Sequence, residues 1–292
     1  MRTCLTALVL AVATAGNALG AVTLTHVHGL AYSPDGKRLM VPSHHGLAVY
    51  ENGKWSKGPG PQHDYMGFAA TAKNLYSSGH PAHGSGLVNP FGLIRSRDGG
   101  KTWDRLGLEG ETDFHLLATG WNTNAIYVWS PEPSSRMRRP GLHFTLNQGF
   151  AWRRASATGL VGEPHTLAVH PDDSATVAIA TTNGLFISRD SGERFSALVQ
   201  GSQTLSARFD LDGKHLWFGS FDGAAALGRV RLETRAIETY KLPPLGRDAV
   251  AYLAQNPAAR TEYAIATFER SIYLTKDGGR TWLPIANRGK GQ

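Results

Sequence analysis

Four stretches of the sequence place a ligand-type side chain, skip one residue and place another. They are HVHGLAY from His26, DYMGFAA from Asp64, DFHLLAT from Asp113 and EPHTLAV from Glu163. Aligned on the apolar residues that follow, they give an outer set (His26, Asp64, Asp113, Glu163) and an inner set (His28, Met66, His115, His165). Neutral imidazoles suit Zn(II), Cu(II) or Ni(II), and a thioether tilts the choice toward copper, above all Cu(I). Carboxylates beside them can fix the imidazole tautomers. The expected metal set is therefore His26, His28, Met66, His115 and His165, with copper favoured over zinc. The carboxylates allow a second chemistry. Asp64, Asp113 and Glu163 are the catalytic groups expected if the protein hydrolyses a glycoside, since two carboxyl groups suffice for that reaction.

Positioning such pairs takes extended chain. Side chains two apart on a strand project to one side, so four aligned strands can aim both sets at one space. The sequence offers such strands. No long helical period appears after the first twenty residues, and short β-rich runs such as NAIYVWS, TVAIATT and SIYLTK are punctuated by Gly, Asn, Asp and Pro. A turn motif recurs: SRDGGKTW at Ser96–Trp103 returns as TKDGGRTW at Thr275–Trp282. Weaker copies are SRDSGERF from Ser188, TLNQGFAW from Thr145 and YENGKW from Tyr50. An aspartate at this place can accept backbone N–H bonds inside the turn, the glycines supply unusual dihedrals, and the aromatic residue packs. These aspartates are read as turn fasteners and not as catalysts.

The recurrences define six units of roughly forty residues, the period of four-stranded propeller blades. First strands are expected near His26, Asp64, Asp113, Glu163, Gln203 and Ala249, with VTLT after residue 21 available to close the ring. A seventh unit is not found. The expected fold is an all-β, six-bladed β-propeller spanning residues 21–292 as one domain. Blade topology then turns position into location. The start of each first strand and the loop between second and third strands share one face; the recurrent turns lie on the other. His26, His28, His63, His115 and His165 fall at first-strand starts, and His44, His45, His80 and His83 in second-to-third-strand loops. That places nine of the twelve histidines on one face, leaving His143, His170 and His215.

The recurrent turn resembles the Asp-box, or BNR repeat, of sialidases and other propellers. Together with HVHGLAYSPDG, DYMGF, SSGHP and DFHLLA, it makes the chain similar to a family of exported bacterial Asp-box propellers that carries a glycosyl hydrolase label. The resemblance implies a propeller and leaves the activity open. Sialidase chemistry is disfavoured: it needs an arginine triad, and only Arg208 and Arg247 lie near first strands. Tyr65 would point away from the channel if Asp64 and Met66 point in.

Composition sets the remaining bounds. The start, MRTCLTALVLAVATAGNALGA, reads as a signal peptide over residues 1–20, with Arg2 before a short apolar run. A periplasmic or secreted protein follows, not membrane-spanning once that segment is removed. The one cysteine, Cys4, lies before the apolar run, so the exported chain has no thiolate ligand or disulfide. A formal charge of +7 is dispersed, with Arg136, Arg138 and Arg139 as its densest group. This reads as a solvated basic face rather than a nucleic-acid surface. The expected partners are a metal ion, a small polar ligand or glycan, or another protein.

Overall fold

The computed structural model describes residues 22–292. The expected signal segment, residues 1–20, and Cys4 lie outside the described residues. Regular structure among the described residues is β throughout. It forms six antiparallel sheets in which consecutive strands are neighbours, five with four strands and the last with five. The innermost strands of blades 1 to 6 are Ala31–Tyr32, Asp64–Ala70, Leu117–Thr119, Pro164–Val169, Gln203–Phe209 and Val250–Gln255. This is the six-bladed all-β propeller that the repeats imply.

In blades 1, 4 and 6 the second strand (LMVPS, VAIAT and YAIAT) is buried along its whole length. A strand covered on both faces reads as a continuous apolar run instead of an alternating one. Ala178, Ala180, Ala264 and Ala266 are each sealed completely, which lets neighbouring sheets approach closely. Six apolar clusters result, one between each adjacent pair of blades. Met40 and Leu47 of blade 1 meet Tyr65 and Ile94 of blade 2, and Leu39 and Val41 on the other face meet Ala264 and Ile272 of blade 6.

Four blades end their third strand in one hydrogen-bonded turn. In blade 2 the Ser96 hydroxyl donates to Asp98 Oδ1 at 2.8 Å and accepts the Gly100 N–H at 2.8 Å, while Asp98 accepts the Thr102 N–H at 2.9 Å and its hydroxyl at 2.6 Å. Thr275, Asp277, Gly279 and Thr281 repeat this in blade 6. Ser188, Asp190, Gly192 and Arg194 do so in blade 4, with Arg194 Nε reaching Asp190 Oδ2 at 3.3 Å where blades 2 and 6 use a threonine hydroxyl. In blade 3 Asn147 takes the aspartate's place. Blade 1 uses a two-residue Asn52–Gly53 turn, both with positive φ, the conformation of a tight hairpin.

The ring closes where the ends of the described chain meet. Thr23 bridges Lys290, and the Leu24 N–H donates to the Gly289 carbonyl at 2.7 Å. The Trp55 indole of blade 1 donates to the Ile285 carbonyl of blade 6 at 2.7 Å, and Arg270 donates to the Thr25 carbonyl at 3.0 Å. The chain that leaves this seam leads directly into His26 and His28.

Candidate functional site at the channel mouth

All six innermost strands or the segments leading into them line one central cavity of about 90 Å³. Its wall includes His28, His115 and His165, with Arg208 and Tyr252 from blades 5 and 6. Hydroxyls on the inner strands tie the blades together around it: Thr119 donates to Ala70, Thr166 to Leu205 and Ser206 to Val250, at 2.7–3.1 Å.

Above the blade 1 wall three imidazoles cluster. The inner strand of blade 1 is short, and His26 and His28 precede it in extended chain whose His28 N–H donates to the Pro42 carbonyl at 3.2 Å. Gly29 permits this close approach, since a Cβ there would lie 2.9 Å from that of Phe68. His44 and His45 form the two-residue turn between Ser43 and Gly46, the paired ends of the second and third strands. His44 thereby leans over the channel, with ring centroids 4.3 Å from His26 and 4.8 Å from His28. One nitrogen from each of His26, His28 and His44 lies within 4.8 Å of the others.

Asp64 completes this cluster from blade 2. Its Oδ2 accepts a 2.6 Å hydrogen bond from His44 Nδ1. A carboxylate can only accept, so His44 Nδ1 carries a proton and, in the neutral ring, Nε2 is the atom with the lone pair. The other oxygen, Oδ1, lies 3.8 Å from His28 Nε2. Both atoms are sealed from solvent and neither has a hydrogen-bond partner. Burial pushes His28 down to about 4, Asp64 opposes that, and His44, His26 and His115 add to it. His28 is accordingly a neutral imidazole at neutral pH.

A second carboxylate is bracketed in a related way. Asp113 Oδ2 lies 2.9 Å from His115 Nε2 and 3.1 Å from His80 Nε2, and the far side of His80 meets Asn89 Oδ1 at 2.7 Å. Burial pushes the Asp113 carboxyl up, but bonds and charges from His115 and His80 outweigh it and hold the group below its ordinary value. The same Asp113 contact raises His115 against the effect of its burial. In both places a carboxylate at the start of one blade meets a histidine of the preceding blade. For Asp64 it is His44, in the turn after the second strand; for Asp113 it is His80, which ends the second strand instead of lying in the loop expected for it.

The other expected residues fall outside these two clusters. His165 faces the cavity, with Nε2 sealed and unpartnered; burial lowers its pKa and Glu163 opposes that. Glu163 itself is exposed. His63 is buried against Phe91 and Tyr65, and its Nδ1 accepts the Ala82 N–H at 2.9 Å, so it fastens the 80–92 loop. His45 and His83 are exposed. Met66 is 6% exposed and is not part of the cavity wall, which Gly67, Phe68 and Ala69 form in blade 2. The cause is a β-bulge: strand register shifts between Met66 and Ala69. Gly67 takes φ 52 there, where a Cβ would collide with the Phe114 carbonyl. Tyr65 points away from the channel, its ring 4.9 Å from that of Trp103 and its hydroxyl donating to the Pro61 carbonyl.

A further group, Asp210, Asp212 and His215, lies outside the residues expected from the sequence. Asp210 Oδ1 accepts from Trp217 Nε1 at 2.7 Å and from the Tyr263 hydroxyl at 2.8 Å, and Arg229 stands 3.7 Å from its other oxygen. A resident guanidinium makes this a structural knot between blades 5 and 6 rather than a cation site.

Fold and rim together define the class: a six-bladed β-propeller whose channel mouth is framed by histidines and two bracketed aspartates. No protein-family model and no curated protein matches the sequence. Among solved structures, the chain is similar to the GH74 enzyme of Niastella koreensis, with a TM-score of 0.61 and 15% identity over 91% of this chain and 46% of that one. It thus spans less than half of that enzyme. YCF48 bound to D1 peptide aligns with a TM-score of 0.51 and 16% identity, covering 91% of this chain and 84% of that one. The β-propeller domain of Cps50 (Swd1) from Myceliophteria thermophila aligns with a TM-score of 0.56 and 13% identity, covering 90% and 87%. At these identities the likeness is one of fold. No described helix is long and apolar enough to cross a membrane.

Proposed function

We propose that this chain is an exported Asp-box propeller that binds one transition-metal ion, copper or zinc, at its channel mouth through His26, His28 and His44, with Asp64 as orienting carboxylate or fourth ligand. The observation that carries this reading is the gathering of three imidazole nitrogens within 4.8 Å. Ligands 2.0–2.1 Å from a tetrahedral ion stand about 3.3 Å apart. The cluster therefore needs only small side-chain rotations to close on an ion. The sealed, unpartnered pair His28 Nε2 and Asp64 Oδ1, 3.8 Å apart, fits two ligands waiting for one cation. His44 held through Nδ1 by Asp64 has the carboxylate–histidine arrangement that orients a metal-binding Nε2. His115 and His165 line the cavity beneath and are left to a bound ligand.

Thermal unfolding of metal-stripped protein tests this. At metal concentrations about 100 times Kd the native state gains about 2.7 kcal/mol, which for a chain of this size is a rise of roughly 5–10 °C. Replacing His26 and His44 together by Ala removes the rise. If neither Cu(II) nor Zn(II) moves the melting temperature of the intact protein, the metal reading fails.

A second reading, a glycoside hydrolase, draws on the Asp64 and Asp113 carboxylates on one rim and on fold likeness to a GH74 enzyme. The ionised Asp113 suits a base or nucleophile, with exposed Glu163 as the remaining acid. Turnover of a glycoside panel that disappears in Asp113→Asn supports it, and no turnover on the whole panel removes it. A protein-interaction scaffold, the third possibility, predicts partner binding indifferent to every one of these substitutions.

A further inference from the structure

The central cavity holds a cation and no acid. Its lining residues include Arg208 and three histidines, and none is Asp or Glu. Arg208 Nε is sealed from solvent and has no hydrogen-bond partner. The one carboxylate whose field reaches it is Asp210, and that group is already engaged by Trp217, Tyr263 and Arg229. Neighbouring wall hydroxyls are committed as well, Thr166 to the Leu205 carbonyl and Ser206 to the Val250 carbonyl. Burial disfavours the charged guanidinium, and Asp210 offsets this only in part. A guanidinium nevertheless stays protonated in proteins. Buried charges are ordinarily paired, because leaving one without a partner is costly. Arg208 is part-buried, its Nε has no partner, and the central cavity adjoins the side chain.

We propose that the cavity binds the carboxylate of a small organic ligand, which enters through the histidine rim and pairs with Arg208. The planar fork of a guanidinium matches two carboxylate oxygens with two parallel bonds. Tyr252, His115 and His165 face the same space from other blades and supply further donors. A cavity of about 90 Å³ whose wall also includes Leu30, Phe68, Leu167 and Leu253 suits a flat, two-oxygen group with a short apolar body. This inference does not rest on the metal reading, since neither Arg208 nor Tyr252 belongs to the His26, His28 and His44 cluster.

The test uses metal-stripped protein dialysed free of chelator. Sodium acetate is titrated against sodium chloride at matched ionic strength, following melting temperature and heat of binding. Acetate is expected to raise the melting temperature where chloride does not. Arg208→Met is expected to weaken acetate binding ~10- to 100-fold, the loss of a charged hydrogen-bonding partner. In chloride alone the same variant is expected to melt higher than the parent, because it removes an unpaired charge. Should that variant fail to fold, Arg208→Lys keeps the charge without the fork, and acetate affinity must still fall severalfold. An N-acetylated tripeptide, whose only carboxylate is its C-terminus, separates two sources. Response to acetate alone assigns the site to free small acids, and response to both assigns it to a carboxylate at the end of a longer chain. Equal effects of acetate and chloride on the parent protein, or an undiminished acetate response in Arg208→Met, overturn the proposal. His44→Ala leaves the acetate response intact, so failure of the metal reading and failure of this one are told apart.

Discussion

At the scale of single residues, Asp64 sets the chemistry of the mouth. It receives the Nδ1 proton of His44 and presents its other oxygen toward His28. Asparagine at this position keeps the shape but can offer an N–H where His44 needs an acceptor, and it removes the negative charge facing three imidazoles. Asp64→Asn is therefore expected to weaken Cu(II) or Zn(II) binding by about 10- to 100-fold, the usual effect of losing such an orienting partner. Asp113→Asn, which disturbs the His80 and His115 bracket instead, leaves metal affinity within about twofold if the ion sits among His26, His28 and His44, since sites without shared partners act independently. Competition titration against a chromogenic chelator measures both variants. Equal losses would move the ion from the blade 1 rim to the deeper space between His115 and His165. This comparison also separates what the sequence made legible from what it did not. The i, i+2 spacing pointed to His28, His115 and His165, which line one cavity although His28 and His115 precede their strands and His165 lies at a register shift. Met66 follows the same spacing yet leaves the wall, because a bulge at Gly67 interrupts the alternation. His44 was legible as a rim residue, but its approach to His26 depends on how a two-residue turn leans across a blade, which spacing along the chain does not encode.

At the scale of elements, the recurrent turns couple fold stability to acid. Burial disfavours ionised Asp98, but the combined bonds from the Thr102 hydroxyl and N–H, Ser96 and Lys101 outweigh it and bring the carboxyl to about 2 from 3.8. Asp277 is held well below the usual carboxylate range by Thr281 and Thr275. Because the folded-state values are depressed, the unfolded chain binds more protons as pH falls through the ordinary carboxylate range. The contribution of these turns is thus complete above about pH 5 and is lost progressively as pH drops through about 4 toward 2. Blade 3 shows what remains without the charge, since Asn147 accepts the Thr145 hydroxyl and the Ala151 N–H from the same position. The double variant Asp98→Asn, Asp277→Asn is expected to fold and to show a shallower fall of melting temperature between pH 4 and pH 2. An acid limb as steep as the parent's would mean that other carboxylates govern it. These turns were readable because Ser or Thr, Asp or Asn, and Gly recur at fixed offsets, each needed by a bond inside one loop. Blade 1 keeps only the remnant YENGKW, and blade 5 lacks the set, so its place in the ring was inferred from period alone.

At the scale of the whole molecule, the histidine cluster proposed to hold a metal sits on the seam of the ring. Leu24 is buried in the blade 1 to blade 6 cluster, and its N–H holds the Gly289 carbonyl. Two residues later the chain presents His26, and two further on His28. Closing the ring therefore fixes the direction in which two of the three proposed ligands leave the core, and an ion holding them to His44 would in turn pin the closing segment to blade 1. Binding and closure must then strengthen one another by the same free energy. Leu24→Ala opens a cavity at the seam and is expected to cost about 2–5 kcal/mol of stability. Leu216→Ala, at an equally sealed position between blades 4 and 5, serves as the comparison. Both variants are expected to lower the melting temperature of the metal-free protein by similar amounts. Only Leu24→Ala is expected to weaken metal binding, because only that substitution loosens the segment delivering His26 and His28. Titration of both folded variants well below their melting temperatures decides the matter. Parallel losses of affinity would mean that the cluster depends on overall stability and not on the seam. Unchanged affinity in Leu24→Ala would mean that His26 and His28 are held by the Pro42 carbonyl and the close packing of Gly29 against Phe68 alone.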